Sequence, residues 1–167
     1  MSEPWLRGPI AGIPPLLQPA AHAFVLAKED IDAASVGLTV EQLWIEPGGA
    51  ASLGFHLAHL AGSTGRLLSY ARGEPLSDAQ RAALARERNL AATRPALEPL
   101  LKDWHEAVAF ALAQLAATPE GTLTEARAIG RAQLPTTVIG ALFHAAEHAA
   151  RHAGQVVTTA KVVKDMA

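Results

Sequence analysis

The sequence of 167 residues contains no cysteine, few aromatic residues and no strong excess of charge of either sign. Without cysteine the chain forms no disulfide, offers no thiolate to a metal ion and has no cysteine nucleophile. Aromatic residues make up 5% of the chain and half of all residues are hydrophobic, mainly Ala and Leu, which favours helices over sheets. Any bound metal ion would therefore be held by His, Asp or Glu.

The charge balance also argues against two classes of partner. The 14 basic and 16 acidic residues give a formal net charge of -2, which is too small to gather DNA, RNA or anionic lipid. No apolar run reaches the roughly 18 residues of a membrane span, and the first residues lack the pattern of a secretion signal. We therefore expect a cytoplasmic protein that binds neither nucleic acid nor membrane.

Proline and glycine separate an irregular N-terminal arm, residues 1–13, from a single helical domain, residues 14–167. Apolar residues recur at helical spacing in four long stretches of that domain. These stretches run from Pro14 to between Ser35 and Gly37, from between Ala50 and Ser52 to about Arg72, from Ala96 to Ala117 and from Pro135 to about Val163. No alternating strand pattern competes with them, so we predict an all-α fold built as a four-helix bundle.

Short extra helices are expected in the connections of this bundle. Thr39 and Ser77 are each followed three residues later by Gln, a spacing that is typical of a capping box at the start of a helix. The second of these short helices, which ends near Asn89, carries Arg86 and Glu87 among other charged residues. This charge predicts an exposed cover rather than a core element. No structure is predicted for residues 118–135.

The histidines carry the strongest functional signal. His144, His148 and His152 repeat at a spacing of four, which places them in one stripe of the last long helix. His59 lies in the second long helix, on a face of mostly small or polar residues that is typical of a pocket wall in a bundle. Together His59, His148 and His152 would supply three imidazole ligands and leave a coordination position open for water or substrate. Imidazole ligation suits zinc, nickel, iron or copper.

Other assignments remain open at this stage. His56 lies three residues before His59 and is an alternative ligand from the same helix. His144 is a candidate outer partner or alternative ligand, and Gln155 lies on the side of His152, where its amide would hydrogen-bond a ligand or bound water. A pair of histidines four apart also arises by chance, and then the stripe is only a polar face. We expect His22 to be a surface or half-buried residue and His105 to be a surface or structural one.

Three pieces of the sequence resemble the DinB/YfiT-like family of metal-dependent helical bundle proteins. They are Ser52-Leu-Gly-Phe-His-Leu-Ala-His59, Leu134-Pro-Thr-Thr137 and His148-x-x-x-His152-x-Gly154-Gln155, and the likeness extends over about residues 14–163. The resemblance implies a four-helix bundle with up-down-down-up connectivity, a homodimer, and a divalent metal ion on His59, His148 and His152. Zinc or nickel is the expected ion, and iron comes next.

Two classes of function fit these expectations. Some members of the wider family resemble thiol-dependent transferases or isomerases, in which the metal ion holds a low-molecular-weight thiol as thiolate, and a chain without cysteine would take that thiol from outside. A hydrolase that activates water needs the same three ligands. The alternative is a non-catalytic bundle, with structural metal or none, that works as a stress-associated or interaction module. No catalytic general base is predicted.

Overall fold

A computed structural model describes residues 2–87 and 89–166, and this part of the chain is mostly helical. The long helices are α1 (Gln18–Ser35), α3 (Leu53–Ala71), α6 (Leu97–Ala117) and α7 (Val138–Asp165). Three short helices lie in the connections: α2 (Val40–Leu43), α4 (Asp78–Glu87) and α5 (Leu90–Thr93). No helix of the described residues is both long enough and apolar enough to cross a membrane.

The four long helices contact one another in a cycle, since α1 and α3 each pack against both α6 and α7. Large apolar side chains that are fully buried fill the space between them: Phe24, Ile31, Leu57, Leu60, Trp104, Leu115, Leu142 and Val156. The buried side of α7 also carries a row of small residues, Ala141, Ala145, Ala149 and Ala153. Small side chains let neighbouring helices approach closely, so they bring the histidines of α7 near those of α3.

The helix starts follow the capping signals of the sequence. Thr39 and Gln42 form the predicted capping box of α2, each side chain accepting a hydrogen bond from the other residue's backbone N–H. Ser77 and Gln80 make the same reciprocal pair at α4. At α3, the Ser52 hydroxyl accepts from the backbone N–H three residues on, at 3.3 Å. These caps confirm the predicted starts of the three helices.

The connection between α6 and α7 is not helical. Strands β1 (Ala126–Ile129) and β2 (Leu134–Thr137) pair antiparallel as a two-stranded hairpin, so the prediction of an all-α chain is wrong here. Pro135 lies within β2 instead of starting the last helix, because an edge strand tolerates a residue without an N–H. The N-cap of α7 is Thr137, whose hydroxyl accepts from the Gly140 N–H at 3.2 Å.

The segment before α1 packs onto the helices although it has little regular structure. Pro4 and Ile13 are buried, and the Gln18 side chain hydrogen-bonds the backbone of Ile10 and Ile13. A short 3-10 turn at Pro15–Leu17 leads into α1. The proposed division into an arm, residues 1–13, and a domain, residues 14–167, stays a prediction.

Candidate metal centre

Helices α3 and α7 bring three of the predicted site histidines together. One ring nitrogen from each of His59, His148 and His152 lies within 4.8 Å of the other two. Nε2 of His59 is 3.1 Å from Nε2 of His148, and the ring centroids of His148 and His152 are 4.5 Å apart. Phe55 stacks on the His59 ring at a centroid distance of 5.5 Å and fixes its plane. The three half-buried rings therefore form one donor set around a shared point.

His148 and His152 of α7 are neutral near pH 7. Burial, with the nearby His59, lowers the pKa of His148 to about 4. Burial, with His148 and His59, lowers the pKa of His152 to about 4 as well. Neutral imidazole is the form that donates a lone pair to a metal ion. Three imidazole rings in a half-buried cluster fit a divalent transition metal ion better than the hard cations that prefer oxygen.

His56 lies next to this cluster but is not one of its three members. Its side chain is buried, and its Nδ1 lies 3.0 Å from Nδ1 of His152. Burial, followed by the charge of His59, lowers the pKa of His56. Of the two histidines of α3 that the sequence left as alternatives, the structure groups His59 with the α7 pair, while His56 contacts one ring of that pair.

The other two residues predicted around the site lie at its periphery. The His144 side chain is 45% exposed, and its Nδ1 is 3.5 Å from Oε2 of Glu147. Its ring centroid lies 5.9 Å from that of His148. Gln155 is exposed and lines a surface cavity next to His56, and the described hydrogen bonds include none between its side chain and a site histidine. Their contacts with a ligand or bound water stay predictions.

A carboxylate that the sequence analysis assigned to an exposed cover is buried beside the cluster. Glu87, the last residue of α4, is 9% exposed, and its Oε2 lies 3.4 Å from Nδ1 of His59. Arg66 donates to both of its oxygens, at 2.5 and 3.1 Å. Burial raises the pKa of Glu87, but the hydrogen bonds from His59 and Arg66 outweigh burial and hold that pKa below its ordinary value. The expectation of an exposed charged helix is therefore wrong at Glu87.

One signal in the sequence points to this carboxylate. Arg66 belongs to the same small-residue face of α3 as His59, and an arginine on a face turned towards other helices requires an acceptor there. The partner lies 21 residues further along the chain, in a short helix whose other charged residues are exposed. Local patterns do not distinguish Glu87 from those neighbours, so sequence analysis missed it.

The fold and the cluster define a mostly helical protein with a candidate metal centre of three histidines. A family model described as the DinB superfamily matches residues 23–156, which is most of the chain and includes all three histidines. The chain therefore belongs to the DinB superfamily, which confirms the resemblance. A search of curated proteins gave no significant match.

Proposed function

We propose that His59, His148 and His152 bind one divalent transition metal ion and that the protein is a metal-dependent enzyme. The observation that carries the proposal is the convergence of three ring nitrogens within 4.8 Å from two helices. Two of those rings are neutral near pH 7 and so are ready to act as ligands. Membership of the DinB superfamily is compatible with such a site.

We infer further that the four long helices form a four-helix bundle with up-down-down-up connectivity. The cyclic packing of α1 and α3 against α6 and α7 supports this arrangement. A bundle positions ligands from facing helices, and His59 on α3 faces His148 and His152 on α7 in that way. The site would therefore depend on tertiary packing rather than on a local loop.

The proposed reaction is thiol-dependent transfer or isomerisation of a small molecule, or hydrolysis. A bound zinc, nickel or iron ion supplies Lewis acidity that favours a deprotonated thiol or water at an open coordination position. His59, His148 and His152 would hold that ion, and Phe55 stacks on the His59 ring and so orients one of the three donors. Because the chain has no cysteine, the thiol would be a low-molecular-weight cosubstrate.

A second candidate is a non-catalytic bundle in which the metal ion is structural or absent. The arrangement of carboxylates favours this alternative. Among the described residues, Glu87 is the carboxylate that hydrogen-bonds a cluster histidine, and both of its oxygens are already engaged by Arg66. A general base free to take a proton from substrate is therefore not evident next to the three rings.

The proposal is tested by elemental analysis of protein purified without an affinity tag, in parallel with two variants. We expect about one transition metal ion per chain in the native protein, a large loss in His148→Ala, and no loss in His105→Ala. His105 is a matched control because its ring lies outside the cluster and bonds Asp32. Equal metal content in the native protein and His148→Ala would overturn the metal site. A thiol-transfer and hydrolysis screen with and without chelator then separates the enzyme from the non-catalytic alternative.

The proposed homodimer and the cytoplasmic location rest on the resemblance and on the composition. Size-exclusion chromatography with light scattering tests the first, with twice the mass of one chain as the expected result. A monomer at micromolar concentration would contradict it. The proposed metal site does not depend on the outcome, because His59, His148 and His152 come from the same chain.

A further inference from the structure

The proposed metal site gives no role to the ion pair between Glu87 and Arg66. Both side chains are buried, at 9% and 8% exposure, and burying two charges is costly unless their geometry and hydrogen bonds are good. Arg66 meets this requirement by donating to both carboxylate oxygens of Glu87. The pair holds the carboxylate in one orientation, with Oε2 facing His59.

Gly62 provides the space in which this carboxylate sits. A Cβ atom at Gly62 would lie 2.0 Å from Oε1 of Glu87 and 2.7 Å from Nη1 of Arg66. Distances this short mean that the carboxylate would have to move. Alanine is a better helix former than glycine, so helix stability does not explain why a glycine lies in the middle of α3. Glycine at this position leaves room for the end of α4 to pack against α3.

His59 is placed between the carboxylate and the cluster. Nδ1 of His59 faces Oε2 of Glu87 at 3.4 Å, while Nε2 faces Nε2 of His148 at 3.1 Å. An ionised carboxylate only accepts hydrogen bonds, so the ring proton of His59 belongs on Nδ1. The lone pair of Nε2 is then directed towards the point shared with His148 and His152.

We propose that Glu87 is a positioning residue, which fixes the tautomer and the ring orientation of His59 so that Nε2 is available to a metal ion. The proposal rests on the metal site proposed above. Glu87 itself is not part of the group of ligand atoms that lie within 4.8 Å of one another in the described chain, so its place is behind the ligand. Hydrogen bonds of this kind to a ligating histidine typically change metal affinity by about 10- to 100-fold.

The test measures the dissociation constant for Zn²⁺ by competition with a chromophoric chelator, in two pairs of matched variants. Gly62→Ala displaces the carboxylate, whereas Gly65→Ala, one turn further along α3, adds a Cβ that meets nothing within 4 Å. Glu87→Gln removes the charge behind His59, whereas Glu29→Gln removes a carboxylate of α1 that Arg7 binds through both oxygens in the same way. We expect Gly62→Ala and Glu87→Gln to bind about 10- to 100-fold more weakly, and both controls to bind like the native protein.

A second measurement reports on positioning alone. In the metal-free protein, ¹⁵N NMR of the imidazole nitrogens should show His59 protonated at Nδ1, with its signals assigned by their loss in His59→Ala. Glu87→Gln and Gly62→Ala should move or mix that tautomer, and a purely structural role would leave it unchanged. The double variant Arg66→Met with Glu87→Met removes both buried charges and should fold while showing the same loss of affinity.

The outcomes separate this inference from the proposed function. If the native protein binds Zn²⁺ and His59→Ala does not, but Glu87→Gln matches the native protein, the role of Glu87 is wrong and the metal site stands. If the native protein does not bind Zn²⁺, the metal site is wrong. In that case the tautomer of His59 still tests whether Glu87 positions its ring. Protonation at Nε2 would contradict that role of Glu87.

Discussion

The histidines of this protein behave differently in two regions of the molecule. On the side of α1 and α6, each ring nitrogen that makes a contact faces an oxygen. Nε2 of His22 lies 3.1 Å from the carbonyl oxygen of Gly8, and Nε2 of His105 lies 2.6 Å from a carboxylate oxygen of Asp32. A ring N–H that donates to an oxygen is a complete interaction, and it ties one segment of the chain to another.

Between α3 and α7, ring nitrogens face each other. Nε2 of His59 meets Nε2 of His148, and Nδ1 of His56 meets Nδ1 of His152. In each such pair at most one nitrogen donates and the other offers a lone pair, which a metal ion can take in place of the proton. The comparison teaches that proximity to a partner does not define a site. The chemical type of the partner matters more, and the facing nitrogens of His59 and His148 support the proposed metal site.

The largest expected effect is on metal affinity when a cluster histidine is removed. His59→Ala or His152→Ala should weaken Zn²⁺ binding by more than about 100-fold, beyond the range of an outer contact, because one of three ligands is lost. His22→Ala should leave the affinity unchanged, since its ring bonds a backbone carbonyl elsewhere. Isothermal titration calorimetry measures all three, and equal affinities would erase the distinction between the two regions.

The next effect is the stability that metal binding adds. With free Zn²⁺ at about 100 times its dissociation constant, a ligand that binds only the folded state adds about 2.7 kcal/mol. For a chain of this size that corresponds to a rise of roughly 5 to 10 °C in melting temperature. Differential scanning fluorimetry should show the rise in the native protein and in His105→Ala, and should not show it in His148→Ala. A rise in His148→Ala would point to a site elsewhere.

The third prediction concerns how the stability of the metal-free protein depends on pH. His148 and His152 have pKa values of about 4 in the folded protein, against about 6.5 when unfolded. Between these values the unfolded chain binds more protons, so the stability from the neutral rings is present above pH 6.5 and is lost as pH falls towards 4. Solvent screens these half-exposed rings, so the loss should be smaller than the stabilisation by zinc.

The measurement is the urea midpoint of metal-free protein, in chelator, at pH 7.5, 5.5 and 4.5. A double variant, His148→Leu with His152→Leu, should lose less stability across the same range. A decline as steep as that of the native protein would assign the pH dependence to other groups. The charged or titratable groups that face these rings on α3 and α7 are His56, His59, His144, Glu147 and Arg151.

Much of the fold was predictable because its signals are local. Ser52 and Gly73 bracket α3, and Thr39 with Gln42 starts α2, since caps and stops act within one turn of a helix. The hairpin was missed because its strands have only four residues each, too few for an alternating pattern. Pro135 fits the first turn of a helix as well as it fits an edge strand, so local propensity could not separate the two.

The candidate site was predictable to different extents in its two parts, the histidine cluster and the carboxylate beside it. His148 and His152 share a helix face by spacing alone, and His59 follows from the resemblance and from its small-residue face. Glu87 depends on an ion pair across 21 residues with Arg66, and on the absence of a side chain at Gly62. This contact forms only when α4 packs on α3, so no local sequence pattern predicts it.

The smallest expected effect on Zn²⁺ affinity concerns His56, which lies next to the cluster. The contact of His56 with His152 joins neutral groups, and a hydrogen bond of this type contributes about 1 kcal/mol, which corresponds to roughly fivefold in affinity. His56→Leu should therefore weaken Zn²⁺ binding about fivefold, less than Glu87→Gln, whose charged acceptor makes a stronger bond. His56→Asn restores an acceptor near Nδ1 and should recover most of the affinity. A loss in His56→Leu as large as that in His59→Ala would make His56 a ligand, because only direct coordination has that effect.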